Sequence, residues 1–125
     1  MTENQIGKIV VDSAIKIHKV LGPGLLEGAY EACLIHELRK RGLNVQSQVE
    51  LPIKYEDVTL DVGYRVDILI EGKVILELKA VVKLLPVHEA QLLSYLKLSN
   101  CRLGFLLNFN VYKMKEGIRR MVNGL

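Results

Sequence analysis

The stretch RVDILIEGKVILELK, residues 65–79, contains two segments rich in branched apolar residues, separated by Glu71-Gly72-Lys73. Successive side chains of a β-strand point to opposite faces, so each segment presents one wholly apolar face. The residues that form these two faces are Val66, Ile68, Ile70, Val74, Leu76 and Leu78. A short polar loop between two such segments predicts a β-hairpin.

The register of this hairpin follows from burying both apolar faces on the same side of the sheet. Ile70 then lies opposite Val74, and the same count places Asp67 opposite Glu77. Lys79 follows two residues later on the face that carries both carboxylates. This register requires a three-residue loop or an equivalent bulge, and a slip of one residue would separate the two carboxylates. Hydrophobic patterning therefore predicts that Asp67, Glu77 and Lys79 lie together.

Two carboxylates and a lysine on neighbouring strands suit metal-dependent cleavage of a phosphodiester. Carboxylate oxygens hold hard cations such as Mg²⁺, for which Mn²⁺ is the expected substitute. The metal and the ammonium then stabilise charge on a phosphate and polarise an attacking water. We therefore assign catalytic roles to Asp67, Glu77 and Lys79, with the two acids as metal ligands. A purely structural ion pair is ranked last, because charges on a half-buried face are costly to desolvate.

Length and composition limit the remaining possibilities. A chain of 125 residues, half of them hydrophobic and a quarter charged, is expected to form one domain, residues 1–125. No apolar run reaches the ~18 residues of a membrane span, and no signal peptide opens the sequence. Cys33 and Cys101 are too few for a disulfide framework, and they indicate reduced thiols in a cytoplasmic protein.

Periodicity and turn residues predict an α/β fold with a mixed central β-sheet flanked by helices, in the order α-α-β-β-β-β-α-β-α. The predicted helices cover residues 3–20, 26–41 and 86–100, and the tail from Tyr112 is also expected to be helical. The predicted strands cover residues 46–55, 58–64, 66–70, 74–81 and 103–109, the first two as one hairpin around Glu56-Asp57. Gly42 is the expected C-terminal cap of the second helix.

Glu27 opens the second predicted helix, with Tyr30 three residues later on the same face. One interpretation is that Glu27 adds a metal ligand or holds a metal-bound water, with Tyr30 as a substrate contact. The other is that Glu27 only complements the positive end of its helix. Both interpretations stay open on the residues alone.

Gln91 and Tyr95 are four residues apart on the third predicted helix, so they share a face. An amide and a phenol beside an active centre could bind phosphate or a base edge, and both residues are candidate substrate contacts. The alternative is plain surface exposure. His88, on the same face, is expected to be a hydrogen-bonding residue of the helix end, since no second His or Cys stands near it.

Basic residues cluster at two places in a chain of net charge +3, which is compatible with a nucleic-acid partner. They are Arg39, Lys40, Arg41, Lys113, Lys115, Arg119 and Arg120. The alternative is that these cations are solvated helix ends favoured by the helix dipole.

Several segments together resemble the GxxExxY family: GLLEGAY at residues 24–30, ELKA at 77–80, LPVHEAQ at 85–91 and NFNV at 108–111. That family is grouped with the PD-(D/E)XK nuclease-like superfamily, so the resemblance implies a restriction-endonuclease-like core of α-β-β-β-α-β arrangement. It covers nearly the whole chain, in order.

The resemblance also implies roles for individual residues. Asp67, Glu77 and Lys79 correspond to the Asp and Glu-x-Lys of the superfamily, and Glu27 to its first-helix acid. Gln91 and Tyr95 match the Gln-x-x-x-Tyr of its exonuclease-like branch. One departure is that Val66, and not proline, precedes the aspartate.

Two functions follow as expectations. The first is a Mg²⁺-dependent nuclease acting on nucleic acid, with DNA favoured over RNA. The second is a non-catalytic nucleic-acid-binding or assembly module on a nuclease-like scaffold, which the small size and modest charge favour. A homodimer would enlarge the contact surface in either case, and no membrane association is expected.

Overall fold

The computed structural model describes residues 1–125 and contains a five-stranded mixed β-sheet with helices on both faces. The helices are α1 (Glu3–Leu21), α2 (Glu27–Lys40) and α3 (Pro86–Ser99). The strands are β1 (Val45–Glu50), β2 (Ile53–Tyr55), β3 (Val58–Leu60), β4 (Arg65–Ile70), β5 (Val74–Lys79), β6 (Leu103–Asn108) and β7 (Ile118–Val122). The predicted α/β restriction-endonuclease-like class is confirmed.

The strand order in the main sheet is β1-β4-β5-β6-β7. All neighbours are antiparallel except β5 and β6, which run parallel because α3 carries the chain back across one face. Strands β2 and β3 form a separate two-stranded sheet. The carboxyl ends of β5 and β6 therefore meet at one edge of the sheet, where Lys79 pairs with Asn108.

Sequence signals at the helix ends produce the expected caps. The Thr2 hydroxyl accepts from the Gln5 amide and the Gln5 side chain accepts from the Thr2 amide, which is a capping box that starts α1. At the end of α2, Gly42 adopts φ +88° and donates to the Arg39 carbonyl, while Leu43 donates to the Leu38 carbonyl. This is a Schellman motif, and the predicted glycine cap is confirmed.

The sheet is covered on both faces. On one face, α1 and α2 pack on β4, β5 and β6 through side chains that include Val10, Leu34, Leu38, Ile68, Leu76 and Phe105. On the other face, Leu92 and Leu96 of α3 pack on Ile75 and Leu106. Each such buried side chain contributes about 1.5–3 kcal/mol to folding. Because β5 is enclosed on both sides, its polar residues lie in a largely dry environment.

Two sequence expectations about secondary structure are wrong. Residues 46–55 do not form one arm of a hairpin with residues 58–64, because Pro52 interrupts the chain after β1. β1 pairs instead with β4, and only β2 and β3 form the hairpin around Glu56-Asp57. The tail is a short 3₁₀ turn, Met114–Gly117, followed by β7 rather than a helix. β7 satisfies the backbone groups of β6, which would otherwise be an unpaired edge.

No helix is both long and apolar enough to cross a bilayer.

A cluster of charges joins α1 to α2. Glu37 accepts hydrogen bonds from Arg41 (Nε to Oε2, 2.8 Å) and from Lys16 (Nζ to Oε1, 3.0 Å), and Arg41 also pairs with Asp12. The hydrogen bonds from Arg41 and then Lys16 lower the pKa of Glu37 from 4.5 to about 2. Arg41 thus joins α1 to α2 through these ion pairs and is not simply a solvated cation at a helix end.

This lowered pKa predicts how stability depends on pH. Above about pH 4.5 the Glu37 carboxylate stabilises the folded protein, and that stabilisation is lost as the pH falls from about 4.5 towards about 2. Glu37→Gln should therefore lower the free energy of unfolding at pH 7, and the difference from wild type should shrink between pH 5 and about pH 3. Urea denaturation at several pH values measures it. A pH-independent difference, or the same trend in the control Glu50→Gln on an exposed strand, contradicts the assignment.

Candidate functional site

The β4–β5 hairpin adopts the register predicted from hydrophobic patterning. Ile70 pairs with Val74 and Ile68 with Leu76 across a three-residue loop. Glu71 and Gly72 in that loop have positive φ angles of +53° and +64°. The right-handed strand twist favours such left-handed loop residues. The three-residue loop therefore sets the register in which Asp67 lies opposite Glu77.

The two carboxylates lie where β4 and β5 begin to separate. The paired residues end at Ile68 and Leu76, and side chains take over the hydrogen bonding beyond them. The Asp67 amide donates to Glu77 Oε1 (3.3 Å), and the Leu78 amide donates to Asp67 Oδ2 (2.8 Å). Each carboxylate is thus held by the backbone of the opposite strand, so the facing pair is positioned by the fold itself.

Glu77 is 6% exposed, and its environment disfavours a negative charge. Burial is the largest cause, followed by the charge of Asp67 and a hydrogen bond between the two side chains, and together they raise the pKa of Glu77 from 4.5 to about 9. In the metal-free protein at neutral pH, the raised pKa of Glu77 therefore favours its protonated form. A buried carboxyl group facing a second acid is typical of functional sites.

Lys79 extends the pair on the same face of β5. The positive charge of its ammonium lowers the pKa of both Glu77 and Glu27, opposing the effect of burial. Lys79 therefore lies within electrostatic reach of both acids. The following backbone is fixed by buried Asn108, whose Oδ1 accepts from the Val81 amide (3.1 Å) and whose Nδ2 donates to the Val81 carbonyl (3.0 Å). Asn108 therefore anchors the strand end that carries the lysine.

Helix α2 brings two further acids towards the pair. Partial burial and then the Asp67 charge raise the pKa of Glu27. Glu27, at the start of α2, is therefore close enough to Asp67 for the two charges to interact. Glu31 was not assigned from the sequence. Gln48 Nε2 lies 3.1 Å from Glu31 Oε1 and 3.3 Å from Asp67 Oδ1, bridging the helix to β4. Glu27 and Glu31 are like charges four residues apart on one helix, a mildly unfavourable spacing that is the only trace of this arrangement in the sequence.

The donor set suits a hard divalent cation bound partly through water. No three Asp, Glu, His or Cys side chains lie close enough together to enclose a metal ion. Asp67 and Glu77 alone offer carboxylate oxygens at one point, and Mg²⁺ is commonly held by one or two carboxylates together with waters and substrate phosphate. The residues present therefore fit such a cation and do not fit zinc, which prefers nitrogen and sulfur ligands.

Tyr30 is not a substrate contact, and that expectation is wrong. Its side chain is fully buried, with its ring stacked on Phe109 at 4.5 Å between centroids. Its hydroxyl donates to the Gly22 carbonyl (2.6 Å) and accepts from the Leu25 amide (3.1 Å). Tyr30 thus holds the loop that enters α2 and sets the position of Glu27.

Helix α3 places Gln91 and Tyr95 beside the carboxylates. Gln91 Nε2 donates to the Tyr95 hydroxyl (3.0 Å), and the nearby Glu77 charge adds to the burial that raises the pKa of Tyr95. His88 accepts from the Leu85 amide through Nδ1 (3.0 Å), as expected for a hydrogen-bonding residue at the helix end, here the N-terminal end of α3. Gln91 is exposed and available to a ligand, whereas Tyr95 is largely buried.

A family model described as the PD-(D/E)XK nuclease superfamily matches residues 4–121. Comparison with curated proteins and with solved structures gives no match.

The raised pKa of Glu77 predicts an unusual stability change. Glu77→Gln should raise the free energy of unfolding of the metal-free protein at pH 8 by ~1–3 kcal/mol. Glu77 must take up a proton on folding at this pH, whereas the neutral amide needs none and can still form a hydrogen bond with Asp67. Thermal denaturation in EDTA measures this, with the exposed Glu50→Gln as the matched control. Addition of Mg²⁺ should then raise the melting temperature of wild type and not of Glu77→Gln. Destabilisation in EDTA, or equal stabilisation of both proteins by Mg²⁺, contradicts this account.

Proposed function

This chain belongs to the PD-(D/E)XK nuclease superfamily, and on that premise we propose that it is a divalent-metal-dependent nuclease that hydrolyses phosphodiester bonds. The family match covers nearly the whole chain and implies a nuclease-like protein that interacts with nucleic acid. Nucleases of this superfamily generally use divalent metals. Mg²⁺ is the proposed ion, and DNA is the proposed substrate ahead of RNA.

The observation that carries this proposal is the facing pair of Asp67 and Glu77. The pair lies at the point where two strands separate, it is anchored by backbone amides, and one member is buried enough to stay protonated without a cation. A purely structural role does not account for a buried Glu77 facing a second, half-buried acid, because apolar residues in their place would fold at lower cost. Binding of a cation does account for it, since positive charge relieves the repulsion.

The protein's own groups have distinct proposed roles. Asp67 and Glu77 hold the metal through oxygen, and the bound metal supplies charge neutralisation at the phosphate and a more acidic water. Lys79 lies beside them and binds a phosphate oxygen or orients the attacking water. Glu27 and Glu31 face the same region from α2. They are proposed to hold water or a second ion on that side.

Membership in the GxxExxY family is the finer proposal. The three residues that define its signature at positions 24, 27 and 30 have separate physical roles here. Gly24 has φ +103°, which favours glycine, and Tyr30 holds the same loop through its hydroxyl. The loop then delivers Glu27 at the first position of α2. The spacing of Gly24, Glu27 and Tyr30 thus serves to place the Glu27 carboxylate near that of Asp67.

A second function is favoured by one observation. No three acidic side chains lie close enough together to enclose a metal ion. A protein without such a metal site suits a non-catalytic nucleic-acid-binding or assembly module on this scaffold. Such a module would bind nucleic acid without cleaving it, and its binding would not depend on a divalent cation.

Cleavage assays distinguish the two functions. We expect Mg²⁺-dependent cleavage in a panel of labelled single-stranded, duplex and branched DNA and of RNA. Asp67→Asn and Glu77→Ala should each lower the rate at least about 100-fold, because metal coordination contributes several kcal/mol to lowering the barrier.

The chain contains a matched control for this assay. Glu71-Gly72-Lys73 has the same Glu-x-Lys letters but forms the hairpin loop, so Glu71→Gln and Lys73→Ala should leave the rate unchanged. Cleavage that persists in Glu77→Ala would come from a contaminant or another site. Binding without cleavage of any substrate in the panel would favour the non-catalytic module.

A further inference from the structure

A groove of about 800 Å³ runs along the outer side of α3. Its walls come from three parts of the chain: the exposed side of α3, Ile53 of β2, and Tyr64, which immediately precedes β4. Apolar side chains dominate, among them Val87 and Leu98 from the helix. A volume in this range is typical of sites that take a small organic group, about 300–1,000 Å³.

The groove adjoins the proposed cleavage site through Tyr95. Tyr95 lines the groove together with Gln91, and it lies within electrostatic reach of Glu77 and Asp67. Tyr64 stands three residues before Asp67 in the chain, with its ring 6.0 Å from that of Tyr95. A group that fills the groove therefore lies next to whatever occupies the space in front of Asp67 and Glu77.

The lining of the groove is mainly apolar and carries no negative charge. None of the lining residues is an acid, and the titratable side chains apart from the two tyrosines are His88 and Lys97. Tyr64 is 43% exposed and offers a ring face to solvent, whereas Tyr95 is only 6% exposed and forms part of the wall. A mainly apolar groove lined by a partly exposed tyrosine and a lysine suits a nucleobase on a phosphate backbone.

We propose that this groove receives an unpaired base of the substrate strand, stacked on Tyr64, next to the bond that is cleaved. The inference rests on the proposed function and names its substrate class: single-stranded or locally unpaired nucleic acid, and not intact duplex. A base inside a duplex is stacked on both sides and cannot enter such a slot without being extruded, at a cost of a few kcal/mol.

A protein side chain is the competing occupant of an apolar groove. Adjacency to the carboxylate pair through Tyr95 and the absence of acids in the lining favour the base, because both features relate the groove to a phosphodiester strand. A protein interface would instead make the oligomeric state depend on Tyr64, and sedimentation of wild type and Tyr64→Ala detects that outcome.

Binding in the absence of metal tests the inference separately from cleavage. Fluorescence anisotropy in EDTA compares a labelled single-stranded oligonucleotide with its duplex. Tyr64→Ala should weaken single-strand binding about 5- to 100-fold, as expected for loss of one base–aromatic stack, and should leave duplex binding unchanged. Tyr64→Phe keeps the ring and should bind like wild type. Tyr112→Ala removes a tyrosine that is 95% exposed and lies outside the groove, and it is the matched control.

An abasic scan makes the test independent of protein folding. Single abasic sites are placed along the oligonucleotide, and one position should weaken wild-type binding by the same factor as Tyr64→Ala. The abasic site and Tyr64→Ala together should cause no further loss, because both remove the same contact. Equal affinity for single strand and duplex, additive effects, an unchanged affinity of Tyr64→Ala, or a Tyr64-dependent oligomeric state would each overturn the proposal.

The outcomes also separate this inference from the proposed function. Tyr64-dependent base binding without any metal-dependent cleavage supports base binding in the groove and contradicts the proposed nuclease activity. Duplex cleavage that Tyr64→Ala leaves unchanged supports the nuclease activity and contradicts base binding in the groove.

Discussion

The antiparallel register between β4 and β5 is the constraint on which the candidate site depends. The register places Asp67 and Glu77 face to face, and it exists because a three-residue loop with two left-handed residues joins Ile70 to Val74. A shift of one residue would turn the buried apolar residues of one strand towards the wrong face. The energy that holds the hairpin in register is thus the burial of ordinary branched side chains, and the polar pair takes its geometry from them.

Burial then gives the pair its chemical character. β5 is covered by α1 and α2 on one side and by α3 on the other, so Glu77 lies in a dry environment beside a second acid. Both effects oppose ionisation, and the single cation nearby is Lys79. Each supporting contact, from Tyr30 behind Glu27 to Asn108 behind Lys79, uses a buried polar group that is fully satisfied within the protein. A rigid scaffold therefore surrounds a site whose own charges are unfavourable without a ligand.

Local patterns in the sequence predicted much of this arrangement, whereas non-local pairing was predicted poorly. Hairpin register and helix caps depend on neighbouring residues, so residues 65–79 and Gly42 could be interpreted correctly. β7 forms only because the distant strand β6 offers a free edge, and its composition resembles a basic amphipathic tail. Tyr30 was misassigned since helical spacing gives the face of a residue and not its depth. Glu31 joins the site through Gln48 on another strand, a contact that no local pattern contains.

The most direct measurement is a crystal structure of the protein grown with Mn²⁺, with data collected at a wavelength where manganese scatters anomalously. This account predicts an anomalous peak between the two carboxylates, about 2.0–2.3 Å from oxygens of both Asp67 and Glu77, with water completing the coordination. The absence of a peak at Asp67 and Glu77 at a saturating Mn²⁺ concentration, with the carboxyl groups still hydrogen-bonded to each other, would contradict it.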